Sequence, residues 1–296
     1  VGKFGKPGIG FTDTNVKVGN TALDSLTTGT RNTAVGNDAL TSNTTASHNT
    51  AIGDRALYTN TTGENTAVGM MSLYANTTGT QNTAVGVQAL DANTTADNNT
   101  AMGYAALGAN TTGANNTSVG AGALVANTTG TQNVAVGSLA LDASTTANYN
   151  TAVGYIAMSA TTTGSGNVAV GSYALEANTT GESNVSIGVN ALEDNTTANN
   201  NTAVGRFALR VNTTGTQNTS VGAYALDANT TANNNTAVGH ACLGANTTGA
   251  NNTGIGEQSL EVSTTGSGNV AVGQKALTAN TTADNNTAVG LEALAA

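Results

Sequence analysis

The chain has 296 residues and a formal net charge of −9, and charged residues make up only 8% of it. An ordinary globular domain has about 25% charged residues. Its eight lysines and arginines are spread too thinly to neutralise phosphates, so we expect no nucleic acid partner. No run of about 20 apolar residues occurs, which predicts no membrane insertion. The single cysteine excludes an internal disulfide framework.

Residues 1–14 do not fit the pattern of the rest of the chain and contain Phe4, Pro7 and Phe11. A repeat protein exposes unpaired strand edges at its two ends and must cover them. We therefore predict that this segment is an N-terminal cap, with docking to a preceding segment as the alternative. The sequence begins with Val1 rather than Met, as expected of a processed product or a part of a longer chain.

A unit of 17 residues is copied along the chain from residue 15 to residue 296, and residues 82–98 (NTAVGVQALDANTTADN) represent it. Every step between the glycines of the Val-Gly pair is 17 residues, except for a one-residue deletion between Gly53 and Gly69. A sustained fixed period of this kind is typical of a solenoid. We predict one parallel β-solenoid domain over residues 15–296, an all-β roll of about 17 coils.

Two short strands are predicted in each coil. The alternation in TAVG has the period of two that is expected of a strand with one inward face, and ALxA predicts a second strand after the glycine turn. The positions of Val85 and Leu90 accept only large apolar residues, so these two and their equivalents Ile187 and Leu192 are predicted to form the core. Nothing in the unit has a period of 3.6 residues, so no helix is expected.

Stacked coils place identical residues above one another. Asn82, Asn99 and Asn116 are predicted to form a continuous ladder, and so are the threonine pairs represented by Thr94 and Thr95. Amide and hydroxyl groups in such ladders bond to the coils above and below. We therefore expect these residues to fix the register between coils.

A row of small residues precedes the core valine, as at Ala84, Ala101 and Ser118. Small side chains permit the close approach of another backbone or another subunit. One Val and one Leu per coil bury little apolar area for an isolated rod, so self-association along the rod would add stability. We predict the subunit contact at this row.

The pair of residues after the Gly varies freely and is predicted to form a surface turn. Five aromatic residues occupy it and are the best candidates for a binding surface: Tyr104, Tyr155, Tyr173, Phe207 and Tyr224. Catalysis needs unlike groups that converge on a point, whereas a solenoid spreads like groups along a line. We therefore expect no enzyme activity, no catalytic residue, no cofactor and no metal site.

The pattern NTAVGxxALxxNTTGxxNTAVG resembles the repeat arrays of phage tail-fibre proteins and bacterial tail-fibre-domain proteins. More distantly, VAVG and SVG followed by xxAL are similar to the head repeats of trimeric autotransporter adhesins. The resemblance covers about residues 15–296. It implies a left-handed parallel β-roll in a homotrimer, used as a scaffold outside the cell or on a virion.

The sequence and this resemblance together predict an extracellular structural fibre with an adhesive role, whose turns contact a cell-surface or matrix ligand many times over. The chain stops at Ala296, half a coil after Gly290. We further predict that residues 1–14 of one subunit cover this last coil of the next subunit, giving a head-to-tail filament through Phe4, Pro7 and Phe11. The alternatives are an ice-binding protein that uses threonine ladders and, less well matched in period, a left-handed-helix acyltransferase.

Overall fold

The computed structural model describes residues 9–12 and 14–295, and within them the chain forms strands and turns without a helix. No helix long and apolar enough to cross a membrane is therefore found in that part of the chain. The chain divides into two compact units, Val1–Asn148 and Tyr149–Ala296. Each unit is a parallel β-solenoid, so the predicted all-β solenoid with a 17-residue repeat is confirmed. That the two units form one domain stays a prediction.

The first unit contains one four-residue strand before its coils and then one strand per coil. Its strands are β1 (Ile9–Thr12), β2 (Asn15–Val18), β3 (Thr33–Val35), β4 (Thr50–Ile52), β5 (Thr66–Val68), β6 (Thr83–Val85), β7 (Thr100–Met102), β8 (Thr117–Val119) and β9 (Val134–Val136).

The second unit has the same organisation. Its strands are β10 (Thr151–Val153), β11 (Val168–Val170), β12 (Val185–Ile187), β13 (Thr202–Val204), β14 (Thr219–Val221), β15 (Thr236–Val238), β16 (Thr253–Ile255), β17 (Val270–Val272) and β18 (Thr287–Val289).

The coils of each unit stack in register. In the first unit Ala84 pairs with Ala67 on one side and with Ala101 on the other, and the pairing is parallel. The same holds in the second unit, where Ala203 pairs with Ser186 and Ser220. Equivalent residues of successive coils therefore form continuous rows within each unit, which we name after the residues of the unit 82–98.

β1 is the exception to the parallel pattern. It pairs with β2 as an antiparallel hairpin, with Ile9 opposite Val18 and Thr12 opposite Asn15. Residues 9–12 thus cover the edge of the first coil in their own chain. Of the residues predicted to dock between subunits, Phe11 lies opposite Val16 in this hairpin, and Phe4 and Pro7 fall outside the described residues.

The predicted second strand in each coil is wrong. Residues 87–92 form turns instead, because Gln88 and Leu90 adopt left-handed backbone conformations with φ of 58° and 53°. An extended strand requires a strongly negative φ. The amide N–H of Leu90 nevertheless donates to the carbonyl oxygen of Ala106 in the next coil at 3.0 Å, so the turns stack as regularly as the strands.

The interior of the coil is filled from the Ala84 and Leu90 rows. Leu90 and Leu192 are completely buried, and so is Ala84. The assignment of Val85 and Ile187 to the core is wrong, since Val85 is half-buried and Ile187 is 40% exposed. Alternation along the strand puts Ala inward and turns its two neighbours outward.

The placement of the subunit contact at the Ala84 row is corrected for the same reason. Ala84, Ala101 and Ser118 are all 0% exposed and face the interior of their own coil. The hydroxyl of Ser118 donates to the carbonyl oxygen of Ala123, on the opposite wall of the same coil, at 2.8 Å. These small residues are required because the coil is narrow, so they cannot reach a second subunit.

Two substitutions on opposite walls of the coil show how narrow its interior is. Cys242 replaces the usual Ala of its row and is completely buried, with its Sγ 3.0 Å from Oγ of Ser259. Gly254 stands on the opposite wall in place of Ala, and a Cβ at that position would lie 2.5 Å from the Cys242 sulfur. A larger residue on one wall is thus matched by a smaller one on the other.

Buried asparagines hold successive coils together. Oδ1 of Asn82 accepts the amide N–H of Asn99 at 2.9 Å, and Oδ1 of Asn99 accepts that of Asn116 at 2.9 Å. Asn82 also donates from Nδ2 to the carbonyl oxygen of Ala96 within its own coil at 2.8 Å. The Asn82 row is therefore a ladder of buried hydrogen bonds between coils.

The Asn-Thr-Thr segment adds a second buried ladder. Nδ2 of Asn93 donates to Oδ1 of Asn76 in the preceding coil at 2.8 Å. Thr94 is half-buried and its hydroxyl donates to the carbonyl oxygen of Thr111 at 3.1 Å, whereas Thr95 is exposed. Within the threonine pair, then, Thr94 has a side-chain bond to the next coil and Thr95 faces solvent.

Candidate functional site

The turn at positions 87 and 88 carries the predicted aromatic residues at the surface of each unit. In the second unit Tyr155 and Tyr173 lie on adjacent coils with ring centroids 5.6 Å apart, edge to face. Phe207 and Tyr224 form a second adjacent pair, 5.4 Å apart. Tyr104 belongs to the first unit and is 62% exposed. Within the second unit, the structure therefore brings four of the predicted surface residues together as two pairs.

Two arginines surround the second aromatic pair. The guanidinium carbon of Arg206 lies 4.4 Å from the centroid of the Phe207 ring, and that of Arg210 lies 5.3 Å from it. His240 approaches Tyr224 edge to face at 6.0 Å. Cations over aromatic faces are attracted by the ring quadrupole, so these side chains order one another. We call Arg206, Phe207, Arg210, Tyr224 and His240 the aromatic–arginine cluster.

Arg210 also forms an ion pair with the next coil. Its Nε lies 2.9 Å from Oδ1 of Asp227, and 40% and 24% of the two side chains are exposed. The hydrogen bond to Asp227 raises the pKa of Arg210 above its ordinary value. The turns of this unit thus carry an ion pair between adjacent coils that the repeat unit 82–98 does not specify.

A surface groove of about 340 Å³ opens beside the cluster. Its walls are Tyr224 and Asp227 from one coil and Glu261 and Val262 from a coil two steps further on, and its floor is Ala241, Gly244 and Ala245. Gly244 stands where Asp227 and Glu261 stand in their own coils, so the groove exists because the middle coil lacks that side chain. We call it the Gly244 groove.

The strand face of each unit is the other candidate surface. The Val85 row consists of valine, isoleucine and methionine in every coil, and its side chains are half-buried or exposed, as at Met102 (44%) and Ile255 (42%). The neighbouring outward position holds only Thr or Val, so the outward positions of β3–β18 carry no charge. The repeat therefore exposes a continuous, uncharged and partly apolar stripe along each unit.

Other residues with reactive side chains do not converge. Burial raises the pKa of the Cys242 thiol, which is inert in the interior. Between residues 14 and 295, no group of three or more His, Cys, Asp or Glu side chains could hold a metal ion.

The comparison with known proteins gives no assignment: no family model and no curated protein matches this chain.

Of the residues that line the Gly244 groove, the sequence pattern singled out Tyr224 alone. It did not single out Asp227 or Glu261 as binding residues, nor the two arginines of the cluster. The available signal was the row after the buried leucine, which is acidic in several coils but reads Arg at 210 and Gly at 244. Substitutions that break a row at neighbouring coils indicate a local structure that the repeat itself does not specify.

Proposed function

We propose that this protein is a non-enzymatic structural fibre protein with an adhesive role outside the cell, and that copies of the chain associate side by side as a homotrimer. The observation that carries the proposal is the Val85 row. Stripes of exposed apolar side chains of this length are uncommon on monomeric soluble proteins and mark interaction surfaces. The stripe is uncharged and identical in every copy, so a second copy is the partner that fits it best.

The interior supports a scaffold function. Each coil contributes the same Leu90 and Asn82 rows, and these bury the groups that hold the stack together. Residues 87 and 88 are outside this interior and vary between coils without disturbing it. A scaffold of this kind can present many weak contacts at once to a cell-surface or matrix ligand, which raises the overall affinity.

A head-to-tail filament is an extension of the same proposal. Residues 9–12 already add a strand to β2 in their own chain, which makes strand addition at this end chemically reasonable. Ice binding is the alternative and is less well supported, because the Thr94 hydroxyl bonds to a backbone carbonyl and leaves one outward Thr per pair. A thermal hysteresis assay distinguishes ice binding from a purely structural role.

The mass in solution tests the proposal. Sedimentation equilibrium of the chain should give about three times its mass of 29.0 kDa. Replacing Val85 and Val119 together by Lys puts two charges into the stripe, and an unpaired charge in an interface is costly. We expect the double variant to sediment as a monomer and to keep the circular dichroism of a β protein.

The control variant carries the same two charges elsewhere. Gln81 and Gln132 are exposed turn residues, and the equivalent turn position holds Arg31 in another coil, so Lys is tolerated there. The Gln81→Lys, Gln132→Lys protein should keep the mass of the unmodified chain. A monomeric unmodified chain, or a Val85→Lys, Val119→Lys variant of unchanged mass, would contradict the proposal.

A further inference from the structure

The row that follows the buried leucine carries ionic side chains in the second unit. Going along the coils, its members are Glu176, Glu193, Arg210, Asp227, Gly244 and Glu261. Asp227 and Glu261 are therefore separated by one coil whose residue has no side chain. Every other coil between Glu176 and Glu261 presents an ionic group in this row.

Arg210 shows what a cation does in this row. It lies one coil before Asp227 and places its Nε 2.9 Å from Oδ1 of that carboxylate. Adjacent coils are about 4.8 Å apart, which is the usual spacing of strands, so neighbouring members of a row are within reach of direct ion pairing. A guanidinium group at the level of Gly244 would have Asp227 on one side and Glu261 on the other.

The Gly244 groove has the room for such a group. Gly244 has no side chain and Ala241 has only a methyl group, which leaves a space one coil deep between Tyr224 and Asp227 on one side and Glu261 on the other. A planar group fits a gap of about 4.8 Å better than a bulky one. Oε1 of Glu261 accepts a hydrogen bond from Gln258 at 3.1 Å, which holds the carboxylate beside the groove.

We propose that the Gly244 groove binds a guanidinium group, presented as an arginine side chain by a partner protein. The planar guanidinium carries five N–H donors in a fixed fork, so it can donate to Asp227 and Glu261 together, and it stacks on aromatic rings such as Tyr224. A carboxylate oxygen has two acceptor sites, so Asp227 can accept from the ligand while it accepts from Arg210.

The chemistry of the groove selects guanidinium over other ligands. Two carboxylates favour a cation over a neutral sugar or an anion. A lysine ammonium is a compact and strongly hydrated point charge, and it cannot offer the planar fork. The inference rests on the adhesive part of the proposed function, because it names the chemistry of a ligand that one of the turn surfaces recognises.

Nuclear magnetic resonance of the ¹⁵N-labelled full chain tests the inference, with N-acetyl-arginine amide as the probe. We expect saturable shifts confined to the amides of the groove, above all those of Gly244 and Glu261, with a dissociation constant of about 1 mM. N-acetyl-lysine amide and methyl glucoside should bind at least about tenfold more weakly, since one hydrogen-bonded charge pair is worth that factor or more.

Two variants and a matched control complete the experiment. Glu261→Gln removes one charge and keeps the shape, and it should weaken binding of the arginine amide about tenfold. Gly244→Arg fills the groove from within and should abolish the shifts. Gly108 lies in the same row of the first unit, between Asp91 and Val125. Gly108→Arg should therefore leave the shifts caused by the arginine amide unchanged.

No saturable shift at Gly244, equal binding of the lysine amide or the glucoside, or undiminished binding by Glu261→Gln would each overturn the inference. The titration uses a monovalent probe on a single groove, so its result does not depend on the mass of the assembly. Failure of the groove to bind the probe is therefore distinguishable from failure of the chain to associate.

Discussion

At the scale of single residues, the glycine that ends each strand is the most constrained position in the coil. Gly86 has a φ of 140°, a conformation that residues with a side chain rarely adopt. A Cβ at Gly86 would lie 2.3 Å from the carbonyl oxygen of Gly103 in the next coil. Both the backbone conformation and the stacking distance require glycine, which explains why every coil repeats it.

Gly86→Ala should therefore lower the free energy of unfolding by about 3 kcal/mol, the upper range for a strained backbone position. Urea denaturation of the variant measures this loss. Gly108→Ala is the matched control, because Gly108 lacks the positive φ and a Cβ there would lie no closer than 3.2 Å to another atom. Equal stability of the two variants would contradict the claim that the close approach of Gly103 requires glycine at position 86.

The contrast between Ala84 and Val85 shows how far sequence reasoning reaches at this scale. Alternation in TAVG correctly indicates a strand with two faces, but it does not say which face is inside. Hydrophobicity alone predicts Val as the inner residue. The width of the coil, however, limits the size of the side chain that can point inward. From β3 to β18, the row that never exceeds Ser in size is the inner one, and the row that accepts Met102 is outside.

At the scale of the element, the turn after the strand could not be predicted from residue preferences. Leu90 adopts φ of 53°, although leucine does not favour left-handed conformations. Stacking stabilises it, because its side chain is completely buried and its amide N–H bonds to Ala106 in the next coil. The repeat pattern predicts that this leucine is buried. It does not predict the backbone conformation of the leucine, since that conformation depends on neighbouring coils.

The acidic part of the row after the leucine gives a pH-dependent prediction for this element. Burial raises the pKa of Glu176, and the negative charges of Glu193 and Asp194 raise it further. The folded state therefore holds this proton more tightly than the unfolded chain does, so ionisation of Glu176 costs stability as the pH rises through its pKa. Solvent screens this partly exposed carboxylate, so Glu176→Gln should raise the free energy of unfolding at pH 7 by only about 0.5 kcal/mol.

The same substitution should leave the free energy of unfolding unchanged at pH 3, where Glu176 is protonated in both the folded and the unfolded state. Thermal unfolding at the two pH values measures the difference. Asp227→Asn is the opposite control, because it removes the ion pair with Arg210 and should lower stability at pH 7. Stabilisation by Glu176→Gln that is as large at pH 3 as at pH 7 would rule out the electrostatic explanation.

At the scale of the whole molecule, repetition separates what is fixed from what can vary. The period of 17 residues predicts the solenoid, because every coil must satisfy the same stacking rules as its neighbours. The subunit contact predicted at the Ala84 row was wrong because it depends on which face of the strand points outward. The narrow interior of the coil determines that face. With Ala84 inside, the proposed contact between copies moves to the outward-facing Val85 row.

Disulfide crosslinking between copies tests this central claim most directly. In a homotrimer whose axis runs along the coil stack, equivalent residues of the copies lie at the same height, so Val85→Cys should form intermolecular disulfides on mild oxidation. Ala84→Cys should not, because its side chain is enclosed in its own coil. Cys242 is completely buried and does not compete. Denaturing electrophoresis should show crosslinked chains for Val85→Cys alone, and crosslinking of Ala84→Cys instead, or of neither variant, would contradict the account.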